Sequence, residues 1–540
     1  MISMCGIFFF IGDLLNDQEY VNKIKPNFLK TTGRGPDDNQ LIQVGNKIFG
    51  FHRLSIIDLS SKGNQPFNID GIYLICNGEI YNHKCLINKN NFTTYSNSDC
   101  EIIIHMYQKY GIEKTVQNLD GVFAFVLYDS TNELVYIARD AFGVRPLFYG
   151  KQKNNLIISS ELKSLTELCE YSQQFTPGSY TKLNNNNYSE FKYTKWYNYS
   201  YNLQIQENNI LSGIRDKLIQ SVQKRLMSDR PIGCLLSGGL DSSLICSIVA
   251  REFKKQNKGI LNTFSIGLKG STDLYYAKKV AEHIGSKHHQ IELSEQDFLE
   301  AIPEVIYAIE SYDTTTVRAS TANYLIGKYI KENTDIIVVY NGDGSDEQSG
   351  YIYLKNAPNK EEFNNECIKL LKEIHLYDCL RSDRSISSKW SLEARTPFLD
   401  KEFVEFYMSI DATLKMYNNK IEKYLLRKAF ENDNFLPQDV LWRRKEAFSD
   451  GCSSNERSWH NIIKEHVNKI ITEDEYKKQL NKYSESHNAP KTKEQVYYRM
   501  LFDKYFKNKE QVIPHFWMPK WCGNQSDPSA RELSIYKSID

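Results

Sequence analysis

The nine residues from Leu235 to Ser243, LLSGGLDSS, constrain this chain more than any other stretch. A short apolar run, Ile232 to Leu236, breaks at Ser237-Gly238-Gly239, and an apolar helical segment follows from Ser242 toward Phe253. That order reads as strand, glycine loop and helix N-terminus. Paired glycines let backbone N–H groups turn toward a bound anion with no Cβ in the way, and the helix start adds partial positive charge. Ser237, Ser242 and Ser243 supply hydroxyls, while Asp241 offers a carboxylate to a phosphate-bound Mg²⁺. No Gly-x-x-x-x-Gly-Lys-Ser/Thr run occurs, so a phosphate here would not be held by the usual P-loop lysine. Capping alone favours Ser and Gly at a strand-to-helix turn. Asp241 and the flanking patterns favour the anion site.

A chain of 540 residues divides into more than one domain and buries substantial cores. Lys plus Arg equals Asp plus Glu, 67 each, so no overall field draws it to nucleic acid or anionic membrane. Its 11 cysteines are an odd, scattered set without a C-x-x-C pair, which argues for reduced thiols and a cytoplasmic protein. No stretch approaches twenty apolar residues, so a membrane span is not expected.

The N-terminal segment opens Met4-Cys5-Gly6-Ile7 and continues apolar through Ile11, the pattern of a strand buried on both faces. A cysteine there is unremarkable as core. A cysteine with a free α-amino group carries its own base, however, since the amine's reference pKa of about 7.7–8.0 lies near the thiol's roughly 8.5. Met1-Ile2-Ser3 stand ahead of Met4-Cys5, so that reading needs translation from Met4 or removal of the leader. Asn77-Gly78 is ordinarily a hairpin turn. Its alternative is a pair of oxyanion donors, the Asn77 amide and the Gly78 N–H. Arg53 is a candidate clamp for a substrate carboxylate. Glu79 and Asp99 are candidates to hold an ammonium. Together, Cys5-Gly6-Ile7, Arg34-Gly35-Pro36-Asp37, Arg53-Leu54, Asn77-Gly78-Glu79, Asp120 to Phe125, and Arg139-Asp140 with Gly143 to Leu147 resemble an N-terminal-nucleophile glutaminase domain. The resemblance implies an α/β/β/α sandwich that hydrolyses glutamine through Cys5. Gly33 stands where that family usually has His.

Periodicity fades between about Gln173 and Asn209, around Thr176-Pro177-Gly178 and the polar run Asn184 to Asn187. The domains are therefore expected at 5–200 and 208–540. Beyond Ile210, strands alternate with helices: strand Leu261 to Leu268, helix Leu274 to Ile284 stopped by Gly285, strand His289 to Leu293, a helical stretch to Glu310, and strand Asp335 to Tyr340. That alternation predicts a doubly wound parallel sheet with ligands at the strand C-terminal ends. The last of these strands runs into Asn341-Gly342-Asp343-Gly344-Ser345-Asp346-Glu347, and Asp346 with Asp241 could share a Mg²⁺. The final third reads as largely helical. Arg443-Arg444-Lys445 is too small a basic cluster for a nucleic-acid footprint, and Lys445 facing a phosphate is the better reading. His515 to Trp521 and Asp527 to Arg531 look like a docking tail without chemistry of its own.

LLSGGLDSS resembles the pyrophosphate loop of ATP pyrophosphatases. With the glutaminase motifs, Thr314 to Ser320, GDGSDE, ARTPFLD and KEAFSDG, nearly the whole chain resembles glutamine-hydrolysing asparagine synthetases of the eukaryotic type. The resemblance implies two sites: ammonia released from glutamine, and aspartate activated by ATP as an aspartyl-adenylate with pyrophosphate leaving. It implies catalytic roles for Cys5, Asn77, Gly78, Asp343, Arg395 and Lys445, the last two near the reacting phosphate. Glutamine would be bound by Arg53, Leu54, Ser55, Ile56, Ile57, Asn77, Gly78, Glu79 and Asp99. ATP would be bound by Leu235, Ser237, Gly238, Gly239, Asp241, Ser242, Ser243, Ile266, Asn341 and Gly342, with Mg²⁺ on Asp241 and Asp346. The implied partners are the small-molecule substrates, with neither nucleic acid nor membrane, and a homodimer is one arrangement open to it. Asn341 and Asp343 depart from the family's Ser-Gly-Glu-Gly-Ser-Asp-Glu, Asp343 replacing a glutamate used in adenylate chemistry. Two other readings stand beside this one: an amide-forming synthetase with another carboxylate acceptor, and a non-catalytic nucleotide or amino-acid sensor.

Overall fold

A computed structural model of the protein describes residues 5–184, 188, 192–417, 421–454, 456–523 and 525–529. The Met1–Met4 leader, Asn185–Asn187 of the polar run, and Ala530-Arg531 of the tail lie outside the described residues.

Two six-stranded antiparallel sheets stack in the N-terminal half. One is ordered Tyr171–Gln174, Phe148–Gln152, Asn155–Ser159, Gly6–Ile11, Lys47–Arg53, Asp38–Val44. The other runs Thr194–Lys195, Ser179–Asn184, Leu134–Arg139, Gly121–Asp129, Ile72–Ile80, Phe67–Ile69. Side chains alternate along each strand, so Ile7, Phe9 and Ile11 face Ile75, Val126 and Ile137 of the opposing sheet. Phe8 and Phe10 turn outward onto Ile24 and Phe28 of helix Gln18–Leu29. Leu74 and Phe125 of the second sheet turn onto Leu86 of helix His83–Asn90 and Ile103 of helix Ile102–Asn118. Both faces of the first strand are covered, which is why it is apolar without alternation. The expected four-layer sandwich is present.

The C-terminal half is built on a five-stranded parallel sheet, ordered Lys287–Leu293, Asn262–Leu268, Ile232–Leu235, Val338–Tyr340, Glu393–Arg395. The strand order reverses direction between Ile232–Leu235 and Val338–Tyr340, and a doubly wound sheet opens its ligand crevice at such a switch point. Helix Ile210–Lys224 buries Ile210, Ile214, Leu218 and Val222 at the spacing that marks it in sequence. Helix Thr272–Ile284 stops at Gly285, whose φ of 67° is the left-handed cap that glycine adopts without strain.

Two local features differ from the sequence reading. Asn77-Gly78 is no hairpin turn: both residues lie inside strand Ile72–Ile80, opposite Ala124 and Phe123. The stretch from Glu393 begins with a fifth strand rather than a helix. Its closing residue, Arg395, pairs with Tyr340.

Buried charges join the two halves. Arg34 reaches Glu161 at 3.0 Å and Asp383 at 3.5 Å, Arg145 reaches Asp383 at 2.9 Å and Glu393 at 3.2 Å, and Lys163 reaches Glu161 at 2.8 Å and Glu310 at 3.7 Å. Arg384 closes onto Glu310. None of these side chains is more than 3% exposed. The departure at Gly33 lies on the same seam. A Cβ added there would stand 2.1 Å from the carbonyl oxygen of Ser388, so the glycine lets the second half approach.

Candidate functional sites

Cys5 immediately precedes the first strand, and its Sγ lies 3.4 Å from the backbone nitrogen of Leu54, which donates to it. Arg34 holds the Cys5 carbonyl through Nε at 3.0 Å. Burial pushes the Cys5 thiol up to about 12, so the resting sulfur is protonated and needs a base to become a nucleophile. Asn77 is fully buried, and neither its Oδ1 nor its Nδ2 finds a partner among the described residues. A buried amide left this way costs about 1–3 kcal/mol unless a ligand satisfies it. It is what an oxyanion donor awaiting substrate requires.

Glu79 and Asp99 are nearly fully buried, and Asp99 accepts from the Ile80 N–H at 2.6 Å. Burial, aided by the Glu393 and Asp99 carboxylates, holds Glu79 well above the usual carboxylate range against the pull of Arg395 and Arg145. A substrate ammonium would reverse that bias. Arg53 points its guanidinium into the loop that follows, donating to Ser60 O at 2.6 Å and also to Asp58 O and Asn64 Oδ1. Ser55 N–H donates to Asp37 at 2.9 Å, and Arg230 donates to Ser55 O at 2.8 Å. Leu54, Ile56 and Ile57 pack into the core of the second half, so this loop bridges the two units.

The second site is a cavity of about 210 Å³ at the switch point of the parallel sheet. The loop after Ile232–Leu235 forms one wall. Gly238, at φ 74°, would drive a Cβ to 2.4 Å from the Ala277 backbone nitrogen. The loop after Val338–Tyr340 forms the facing wall, and a Cβ on Gly342 would meet the Ser242 nitrogen at 2.6 Å. Glycine at 342 therefore lets the two loops close on each other, and glycine at 238 lets the first loop lie against helix Thr272–Ile284. Leu235, Ser237, Gly239, Asp241, Ser242, Ile266, Asn341, Gly342, Asp343, Asp346 and Lys445 all line the cavity. Gly238 and Ser243 are not among the lining residues, Ser243 lying in helix Leu240–Lys255. Asn341 Nδ2 is buried in the wall without a partner among the described residues.

Asp241 and Asp346 converge. Lys423 Nζ lies 2.5 Å from a carboxylate oxygen of each, and Lys445 Nζ lies 2.5 Å from the other oxygen of Asp346. The two ammonium groups hold Asp346 well below the usual carboxylate range despite its burial. One cation can thus touch both carboxylates, and an all-oxygen pair suits a hard divalent ion such as Mg²⁺. Asp343 pairs with Arg381, which also reaches Asp378 at 2.9 Å, and the Asp343 N–H donates to Asn341 Oδ1 at 3.3 Å. Burial raises the Asp343 carboxyl and Arg381 opposes the rise.

Arg395 is not among the residues that line the cavity: it is fully buried, donating to Glu393 at 2.8 Å and Met227 O at 2.5 Å, with Glu79 at 3.4 Å. Conversely, Lys423, Arg381 and Thr315 line the cavity without having been marked as ligands in sequence.

Comparison with known proteins adds the following. The description "Glutamine amidotransferase domain" matches residues 4–206, and "Asparagine synthase" matches residues 213–362 and 355–529. The chain is similar to "Asparagine synthetase [glutamine-hydrolyzing]" of Gallus gallus, 41% identical over 566 residues, covering 99% of each chain. It is 41% identical over 572 residues to the protein so named from Mus musculus and 40% over 572 residues to that from Homo sapiens, again with 99% of each covered.

Proposed function

We infer from this chain's membership of the glutamine-hydrolysing asparagine synthetase family, which it matches along its whole length, that it makes asparagine from aspartate with ammonia drawn from glutamine and energy from ATP. The division of labour falls at 5–200 for the glutaminase and 208–540 for the synthetase. The observation that carries this reading is the pairing of two unlike sites in one chain. One has a buried, protonated cysteine within the field of Glu79 and Arg53 and an unsatisfied buried amide two positions before Glu79; the other has two carboxylates converging at a sheet switch point.

In the first site the Cys5 sulfur attacks the glutamine carboxamide carbon, and the free α-amine of a chain beginning at Cys5 takes the thiol proton. Asn77 Nδ2 and the Gly78 N–H hold the oxyanion. Glu79 and Asp99 face the substrate ammonium. Arg53 and the Leu54-to-Ile57 loop fix its other end, Arg53 after exchanging a loop carbonyl for the carboxylate.

In the second site the phosphates lie on the Ser237-to-Ser243 loop, between Leu235, Ile266, Asn341 and Gly342. Aspartate's side-chain oxygen displaces pyrophosphate from the α-phosphorus, giving an aspartyl-adenylate, and ammonia then displaces AMP. Mg²⁺ held by Asp241 and Asp346 would neutralise phosphate charge there. Lys423 and Lys445 supply fixed positive charge beside the leaving group, and Asp343 takes a proton from the attacking ammonia. Cytoplasmic residence fits the free cysteines, and a homodimer remains part of the proposal.

The test is pyrophosphate release with ATP and glutamine while the acceptor is varied. Aspartate dependence with asparagine as product supports this reading. Turnover with another carboxylate, or with none, overturns it.

A further inference from the structure

The tail motifs without assigned chemistry end on the second site. Trp517, Pro519, Pro528 and Ser529 line the same cavity as Ile266 and Lys445. The segment is fixed at both ends. At Trp517 the backbone N–H donates to Asp313 at 2.8 Å and the ring lies 5.4 Å from that of Tyr351, itself a cavity residue. At Asp527 both carboxylate oxygens accept from Arg318, at 3.0 and 2.9 Å.

Arg318 is itself buried and lines the cavity. Its other edge is clamped by Glu494 at 2.8 and 2.7 Å. Asp527 also turns the chain, accepting from the Ser529 N–H at 2.8 Å, which aims Pro528 and Ser529 at the cavity. His460 Nδ1 stands 3.9 Å from Asp527. His460, Glu494 and Asp527 have ligand atoms within 4.8 Å of one another, as a metal site would. The guanidinium already supplies the positive charge between the two carboxylates, so the cluster reads as a latch.

We propose that the tail stretches Trp517–Gly523 and Gln525–Ser529 form a strap closing the synthetase cavity, and that Asp527 is the positioning residue latching it to Arg318. The proposal rests on the adenylate chemistry above. An acyl-adenylate is exposed to water: a water oxygen bonds to the activated carbonyl carbon, AMP leaves with the electron pair, and aspartate is regenerated. A strap across the cavity keeps that competitor out while ammonia arrives from the other side.

The experiment supplies the full-length protein with ATP, aspartate and ammonium salt, and counts pyrophosphate against asparagine. The wild type releases one pyrophosphate per asparagine. Asp527→Ala, and independently Trp517→Ala at the far end, should raise that ratio at least about threefold, and Asp527→Ala should raise the KM for aspartate about tenfold, the scale of one charge-assisted contact. Asp527→Glu should recover most of the coupling. A Tm equal to that of the wild type in the same samples shows that each variant is folded. A ratio that stays at one in both alanine variants overturns the strap. A wild type that makes no asparagine overturns the parent reading, and the strap's role with it.

Discussion

Glu79 Oε2 lies 3.4 Å from Arg395 Nη2, although 316 positions separate them and they belong to different halves of the chain. Arg395 stands between Glu79 and Glu393, so its removal would leave the buried Glu79 without its ion pair and Glu393 with Arg145 alone. Arg395→Met should cost about 3–5 kcal/mol of stability. Thermal unfolding would show it as a lower Tm, with glutamine- and ammonia-dependent synthesis falling together. Normal Tm with synthesis alone abolished would put the arginine back at the phosphate.

Asp343 is an aspartate where the sequence resemblance implies a glutamate. A carboxylate misplaced by about 1 Å can cost about a hundredfold in rate, yet two contacts fit a loop adjusted to the shorter side chain. Arg381 grips the carboxylate, and Asn341, the other altered residue, accepts from the Asp343 N–H. Asp343→Asn should nearly eliminate asparagine formation from ammonia while sparing glutaminase activity. Asp343→Glu should gain no more than a few-fold. A large gain in the glutamate variant would mark an uncompensated site.

Gly33→His supplies the residue that the glutaminase resemblance implies there, and here it should harm. Its Cβ has no room beside Ser388 O. The expected loss is about 1–3 kcal/mol, the scale of overpacking, read as a lower urea midpoint. An unchanged midpoint would mean that the seam yields freely.

Cys5→Ala should abolish synthesis from glutamine and leave synthesis from ammonium salt intact, because the two chemistries occupy separate sites. Intact mass of the active protein should correspond to a chain starting at Cys5, since only a free amine can take the thiol's proton. Full glutaminase activity from a chain retaining Met1 to Met4 would remove that base.

The central sheet was legible because its signals are local. LLSGGLDSS, Gly285 and the buried strand before Asn341 each announce a strand end or a helix end in a few residues. Lys423 and Arg381 carry no such signal, since tertiary placement alone brings them to Asp241, Asp346 and Asp343. The one hint was stoichiometric: three acids in Asn341 to Glu347 call for more cations than Lys445 supplies. Arg395 stands apart from the cavity lining for a geometric reason. It ends a strand, where a shift of one position turns a side chain to the opposite face, and motif spacing does not register that alternation. Asn77-Gly78 shows the converse, a turn-like dipeptide held extended by pairing with strand Gly121–Asp129.

The charge seam between the halves bears on how such a protein could ever be taken apart. Cut between Lys195 and Ile210, the fragments would each turn their share outward, Arg34, Arg145, Glu161 and Lys163 on one, Glu310, Asp383, Arg384 and Glu393 on the other. Water would hydrate every one of them, and reunion in dilute solution would have to strip that water off again. A peptide tether lowers this barrier by holding the partners at high effective concentration. Fusion of the two catalysts into one translated chain is thus a condition of their fitting together, and two separately encoded subunits could replace it only with a different, drier interface.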